Sequence, residues 1–133
     1  MSSTPNFATA DIVSQAAIAA TGNTGQDGSG TLSTLMQGSN GVQQRIDAIS
    51  INATGTTTAG KIRFYLSTDN QTTKRKIGEL NVSAAAPSAT VATFSDVWYP
   101  PKPIPVPDAN TFIYAAPFNS EGFVAQCFGS KFS

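Results

Sequence analysis

Hydrophobic and polar positions alternate most regularly over residues 45–68. Ile49 and Ile51 are interleaved with Ala48, Ser50 and Asn52, and then Ile62, Phe64 and Leu66 with Lys61, Arg63 and Tyr65. A period of two sends successive side chains to opposite faces, so both parts read as strands of an antiparallel sheet with one wet side. The connector Thr54-Gly-Thr-Thr-Thr-Ala-Gly60 has a glycine at each end. That suits a hairpin loop with positive φ at its corners. The pattern predicts a hairpin here, with the other strands packed against it.

The rest of the chain yields further strands. Residues 8–20 are rich in alanine, which favours helix. They also hold the β-branched Thr9, Ile12, Val13 and Ile18, and in an all-β setting these tip the reading to strand. A loop at 22–30 (GNTGQDGSG), a short strand at 31–36 and a turn at 37–41 lead into the hairpin. After a polar turn at 68–73 come strands at 74–83 and 90–99, separated by a small-residue turn with Pro87. In the first of these, Gly78 between Ile77 and Leu80 signals a bulge. The run YPPKPIPVP cannot donate to a sheet ladder from its prolines, so it is extended and lies outside any sheet centre. Strands at 111–118 and 122–132 close the chain. About eight short strands with short loops predict an all-β antiparallel β-sandwich. A jelly roll fits best. An immunoglobulin-like sandwich is the runner-up, and lacks its cysteine pair about a tryptophan. Residues 1–7 are expected to form an extended N-terminal arm and residues 8–133 a single sandwich domain.

Composition narrows the function. Eight basic and eight acidic residues give zero net charge, and charged residues are only 12% of the chain. A nucleic-acid binder needs a basic stripe to displace counterions; the only basic run is Lys74-Arg75-Lys76, which reads as a solvated edge or turn. Ser and Thr fill 30 positions, leaving a neutral surface that desolvates at low cost and suits lasting contact with another protein. An ordinary sandwich has the same composition. The N-terminus has no basic region ahead of an apolar one, and 12–20 is too short to span a membrane. The chain is therefore expected to stay where it is made.

Chemistry is sparse. There is no histidine, which removes the commonest general base, the hydrolase triads and most zinc sites. Gly25, Gly28 and Gly30 are followed by neither a Gly-Lys-Ser/Thr motif nor a helix pattern, so they read as a flexible loop and not a phosphate cradle. The acids stand singly, mostly in turns (Asp27, Asp69, Asp108, Glu121), where Asp accepts from backbone amides. The single Cys127 lies in an apolar run and reads as a small buried hydrophobe. Asn52, Asn70 and Asn81 begin glycosylation sequons of a kind that chance supplies in so polar a chain. No enzyme, metal or cofactor is expected. Two stretches could bind a partner. One is the arm, with Thr4, Pro5, Asn6 and Phe7, which could lie across a neighbour or could be a frayed terminus. The other is the proline loop, with Trp98, Tyr99, Pro101, Ile104 and Val106. It could be a stiff docking loop with aromatic anchors or simply a crossover between sheets.

The stretch Arg45-Ile-Asp-Ala-Ile49, then Ala53-Thr-Gly-Thr-Thr-Thr-Ala-Gly-Lys-Ile-Arg63, and downstream Pro87-Ser-Ala-Thr90 before an aromatic strand resembles small proteins encoded near the major capsid protein in tailed bacteriophages. The resemblance covers about residues 25–132. It marks a fold, and no chemistry hangs on the motif. Some members of such groups are head decoration, or cement, proteins of jelly-roll type. The resemblance implies a structural virion protein on the capsid exterior, made in the bacterial cytoplasm, that clamps neighbouring major capsid subunits as a homodimer or homotrimer. Other virion sandwiches of the neck, tail or fibre fit the same composition. So does a carbohydrate-binding module, whose sugar platform would need Trp98, Tyr99, Tyr65 and Tyr114 exposed.

Overall fold

The computed structural model describes residues 8–132, so the predicted arm 1–7 lies outside the described residues. Nine strands are present among them: β1 (Ala8–Ile18), β2 (Ser33–Gln37), β3 (Gln43–Ala53), β4 (Gly60–Ser67), β5 (Arg75–Val82), β6 (Ser95–Trp98), β7 (Ile104–Val106), β8 (Phe112–Pro117) and β9 (Phe123–Phe132). All pairings are antiparallel. One sheet has the order β1-β9-β3-β6, with β7 also on β3; the other has the order β2-β8-β4-β5.

The pairs β1·β9, β2·β8, β3·β6/β7 and β4·β5 nest inside one another along the chain. The chain is thus one long hairpin with β4–β5 at its tip, wound so that its rungs fall alternately in two sheets. That is a jelly roll. The count is nine because β6 and β7 divide one strand position: β6 lies along residues 49–52 of β3 and β7 along 44–46. Pro100, Pro101 and Pro103 fall in the gap, and Pro105 sits on the sheet's edge, opposite Arg45, where a missing N–H leaves no ladder bond broken.

The predicted hairpin is not there. β3 and β4 belong to different sheets and face each other across the core. Alternation fixes which side chains point inward, and it is the same whether two strands pair or stack. The connector climbs between sheets that pack about 10 Å apart. It is anchored by a bridge between Thr57 and Ala85 and by Glu121, whose carboxylate accepts from Thr58 N at 2.7 Å. Positive φ among glycines occurs at Gly28, Gly30 and Gly41, not at Gly55 or Gly60.

Ile46, Ile49 and Ile51 of β3 and Ile62 and Phe64 of β4 are fully buried between the sheets, joined by Ile113, Phe123 and Cys127. The bulge expected at Gly78 is present: Phe64 is opposite Gly78 and Tyr65 is opposite Lys76, so Ile77 is the extra residue. Trp98 stacks on Phe64 with centroids 4.4 Å apart and an interplanar angle of 11°. Its six-membered ring lies where a Cβ on Gly78 would be. The predicted strand at 90–99 is shortened to four residues.

The second sheet is buried on both sides along its central strands, β4 and β8. Its outer face holds Tyr65, Phe112, Tyr114 and Ala116, covered by the glycine-rich loop that the sequence suggested was flexible. Asn23 pins that loop. Its Nδ2 donates to Ser29 O and Thr31 O at 2.9 and 3.0 Å, and its Oδ1 accepts from Gly25 N at 2.9 Å. Below it, Tyr65 OH donates to Gly25 O and Arg63 Nη1 to Asn23 O.

Candidate binding surface

Among the described residues, nothing covers the outer face of the other sheet in this way. Pairing registers place its outward side chains in rows: Val13, Phe128 and Ala48; Gln15, Gln126, Ser50 and Val97; Ala17, Val124, Asn52 and Ser95. Tyr99, one step beyond the Trp98–Ile49 pair, extends the first row. None of these residues is charged. Val13 is 65% exposed and Tyr99 71%, the two most exposed large hydrophobics among the described residues, at opposite margins of one row. Between them Phe128 and Ala48 are half-buried. The nearest ion pair, Arg45 with Asp47 at 3.1 Å, lies beyond the rows, where Asp47 is bulged out of register.

Charge gathers on the opposite side of the molecule. Five of the eight basic residues (Lys61, Arg63, Lys74, Arg75 and Lys76) lie on or beside β4 and β5. Glu79 meets Lys76, and also Arg63 Nε at 3.4 Å and Lys61 Nζ at 3.5 Å. The hydrogen bond from Lys76 is the main reason its carboxyl sits below the usual range. Arg63, 1% exposed, also lies over the Phe118 ring at 5.5 Å. Burial raises the Tyr65 and Tyr114 hydroxyls and pushes the Cys127 thiol up to about 12. The turn acids act as caps: Asp27 accepts from Ser29, Asp69 from Thr73 and Asp108 from Asn110. No group of three or more Cys, Asp and Glu side chains that could hold a metal ion occurs among the described residues. Among the described residues, no helix is long and apolar enough to cross a membrane.

The residues singled out from sequence divide. Thr4, Pro5, Asn6 and Phe7 lie outside the described residues. Trp98, Ile104 and Val106 are core side chains at 8%, 5% and 0% exposure, so they are not exposed anchors. Each has an apolar side chain at an inward position of β6 or β7, and the core takes it. Tyr99 and Pro101 are on the surface. The sugar platform meets the same correction, since Trp98, Tyr65 and Tyr114 are buried and only Tyr99 of the four is exposed. The neutral sheet face itself was missed. Its signal was present in the outward positions of β3 and β9, which carry Ala48, Ser50, Asn52, Val124, Gln126 and Phe128 where a wet face usually carries Lys or Glu.

Comparison with protein-family models finds no match, and comparison with curated proteins finds none. Among solved structures, the chain is similar to the Clostridium thermocellum endo-1,4-beta-D-xylanase 10B CBM22-1–GH10 modules complexed with xylohexaose. The identity is 13% and the TM-score 0.30, over 95% of this chain and 25% of that one. The chain thus spans a quarter of that chain's length. A likeness of this size carries no argument about function.

Proposed function

We propose that this protein is a structural component of a tailed-phage virion that binds the outside of the capsid shell and clamps neighbouring major capsid subunits. The observation that carries the reading is the three uncharged rows on the outer face of the β1-β9-β3-β6 sheet, joined to the resemblance of residues 45–63 and 87–90 to phage head proteins. A flat face of Ala, Val, Ser, Asn and Gln with Phe128 and Tyr99 desolvates without stranding charges, and an aromatic residue at its margin suits an interface anchor. A protein that binds only the assembled lattice stabilises it by mass action. Bridging several subunits adds avidity to modest contacts.

Sedimentation of the purified protein with mature empty heads tests this. Many tens to hundreds of copies per capsid, in an icosahedral ratio, are expected, with a gain in heat stability. Asn52→Lys on the neutral face is expected to lower occupancy about tenfold by burying an unpaired charge. Asn81→Lys, exposed on β5, is expected to leave it unchanged. A handful of copies would move the protein to the neck or tail, and no binding would end the virion reading.

A further inference from the structure

The two sheets have four edges, and three of them are blunted. β2 is five residues long and shifts register between Thr34 and Met36. β5 carries Arg75, Lys76 and Glu79 and is bulged at Ile77. The β6/β7 edge is cut into pieces of four and three residues with prolines between and within them. Short length, charge, bulges and proline are the devices by which sheets keep their edges from pairing with other chains. β1 has none of these over most of its length. It is eleven residues long, pairs with β9 from Ala8 to Ile18, and shifts register only at Ala8/Ala10. It has no proline, and residues 12–20 carry no charge. Its other side pairs with no strand among the described residues. It approaches β2 at the corner of the sandwich, where Ala19 N donates to Ser33 Oγ at 2.9 Å, but the two do not pair.

We propose that β1 pairs antiparallel with β1 of a second copy about a two-fold axis through Gln15, joining the two outer sheets into one. The strand's own sequence selects a second copy. Cross-strand partners must point to the same face, so a two-fold axis has to pass through a residue. At Gln15 it sets Val13 opposite Ala17 and Ala17 opposite Val13, covering the exposed valine on both sides. It also sets Asp11 opposite Ala19, so no like charges meet. Ala19 directs its N–H across this edge, and alternation gives Val13, Gln15 and Ala17 the same direction. These three residues form hydrogen-bonded pairs with about six inter-chain bonds. The uncharged rows on each copy then run on continuously across the axis. The pairing stands apart from the capsid reading, since it concerns the protein alone in solution.

Sedimentation velocity of the full chain across a concentration series tests it. A dimer that dissociates on dilution is expected. Gln15→Lys and Gln15→Glu each set like charges against themselves at the axis, and each is expected to weaken the dimer about tenfold or more. Mixing the two variants is expected to restore a heterodimer, which neither variant could form if it had unfolded. Val91→Lys, at an exposed valine away from this edge, is expected to leave the dimer intact. A monomer at every concentration, a trimer, or an undiminished Gln15→Lys dimer would overturn the pairing. A mixture that stays monomeric would overturn the axis at Gln15.

Discussion

Trp98 and Tyr99 are neighbours in sequence with opposite fates, and the difference follows from a period of two. Trp98 points inward from β6 onto Phe64 and over Gly78, while Tyr99 points outward. Trp98→Ala is expected to cost about 3–5 kcal/mol through the cavity it leaves, measured by urea unfolding. Gly78→Ala is expected to cost about 1–3 kcal/mol because the added methyl must displace the indole. Tyr99→Ala should change stability by less than about 0.5 kcal/mol, as surface substitutions do, and reduce capsid binding. Glu79 supplies a pH dependence. Its carboxyl is held below the ordinary 4.5, first by the Lys76 hydrogen bond and then by nearby Lys61. A carboxyl whose pKa is lower in the folded state contributes stability above its ordinary value, and this is lost as pH falls through the folded value. Glu79→Gln should therefore flatten the acid limb of a thermal-denaturation series below pH 4.5. Cys127, fully buried with its thiol raised to about 12, should react with a thiol reagent at neutral pH only after denaturant is added.

At the scale of elements, the glycine-rich loop between β1 and β2 is the least expected part. Asn23 is 7% exposed and makes three short-range hydrogen bonds that close the loop over Tyr65 and Tyr114. Asn23→Ala strands the carbonyls of Ser29 and Thr31 and should cost about 1–3 kcal/mol, with faster hydrogen exchange confined to 22–32 as the local check. Composition read this loop as flexible because glycine and polar residues avoid a core. What orders it is an asparagine whose partners lie six and eight residues away. Strand positions were legible because alternation records burial. Partner choice was not, and β3 and β4 show why. Their inward isoleucines and phenylalanine satisfy a stacked pair as well as a hydrogen-bonded one, so only the whole set of pairings reveals the connector as a crossover. The bulge at Gly78 was legible because one residue too many between Ile77 and Leu80 breaks the period.

The whole molecule is two-faced. One sheet buries the centre of its outer side beneath a loop and has most of the cations on or beside it; the other, among the described residues, leaves three uncharged rows of its outer side open. This asymmetry was invisible in a net charge of zero, since a sum carries no positions. It sets the expected response to salt. Contacts through the neutral face involve no ion pairs to screen, so occupancy on capsids should change less than about threefold between low and high ionic strength. A steep loss with salt would place the binding on the cationic side instead.

The prolines that divide β6 from β7 have a consequence for growth. A tile with two sticky margins adds neighbours without end and becomes a fibre. This one has a single sticky margin, because Pro100, Pro101, Pro103 and Pro105 disrupt the other. Self-association by the β1 pairing proposed above would consequently stop at two, because four rings on the far side of the sheet leave that margin with no continuous strand to offer.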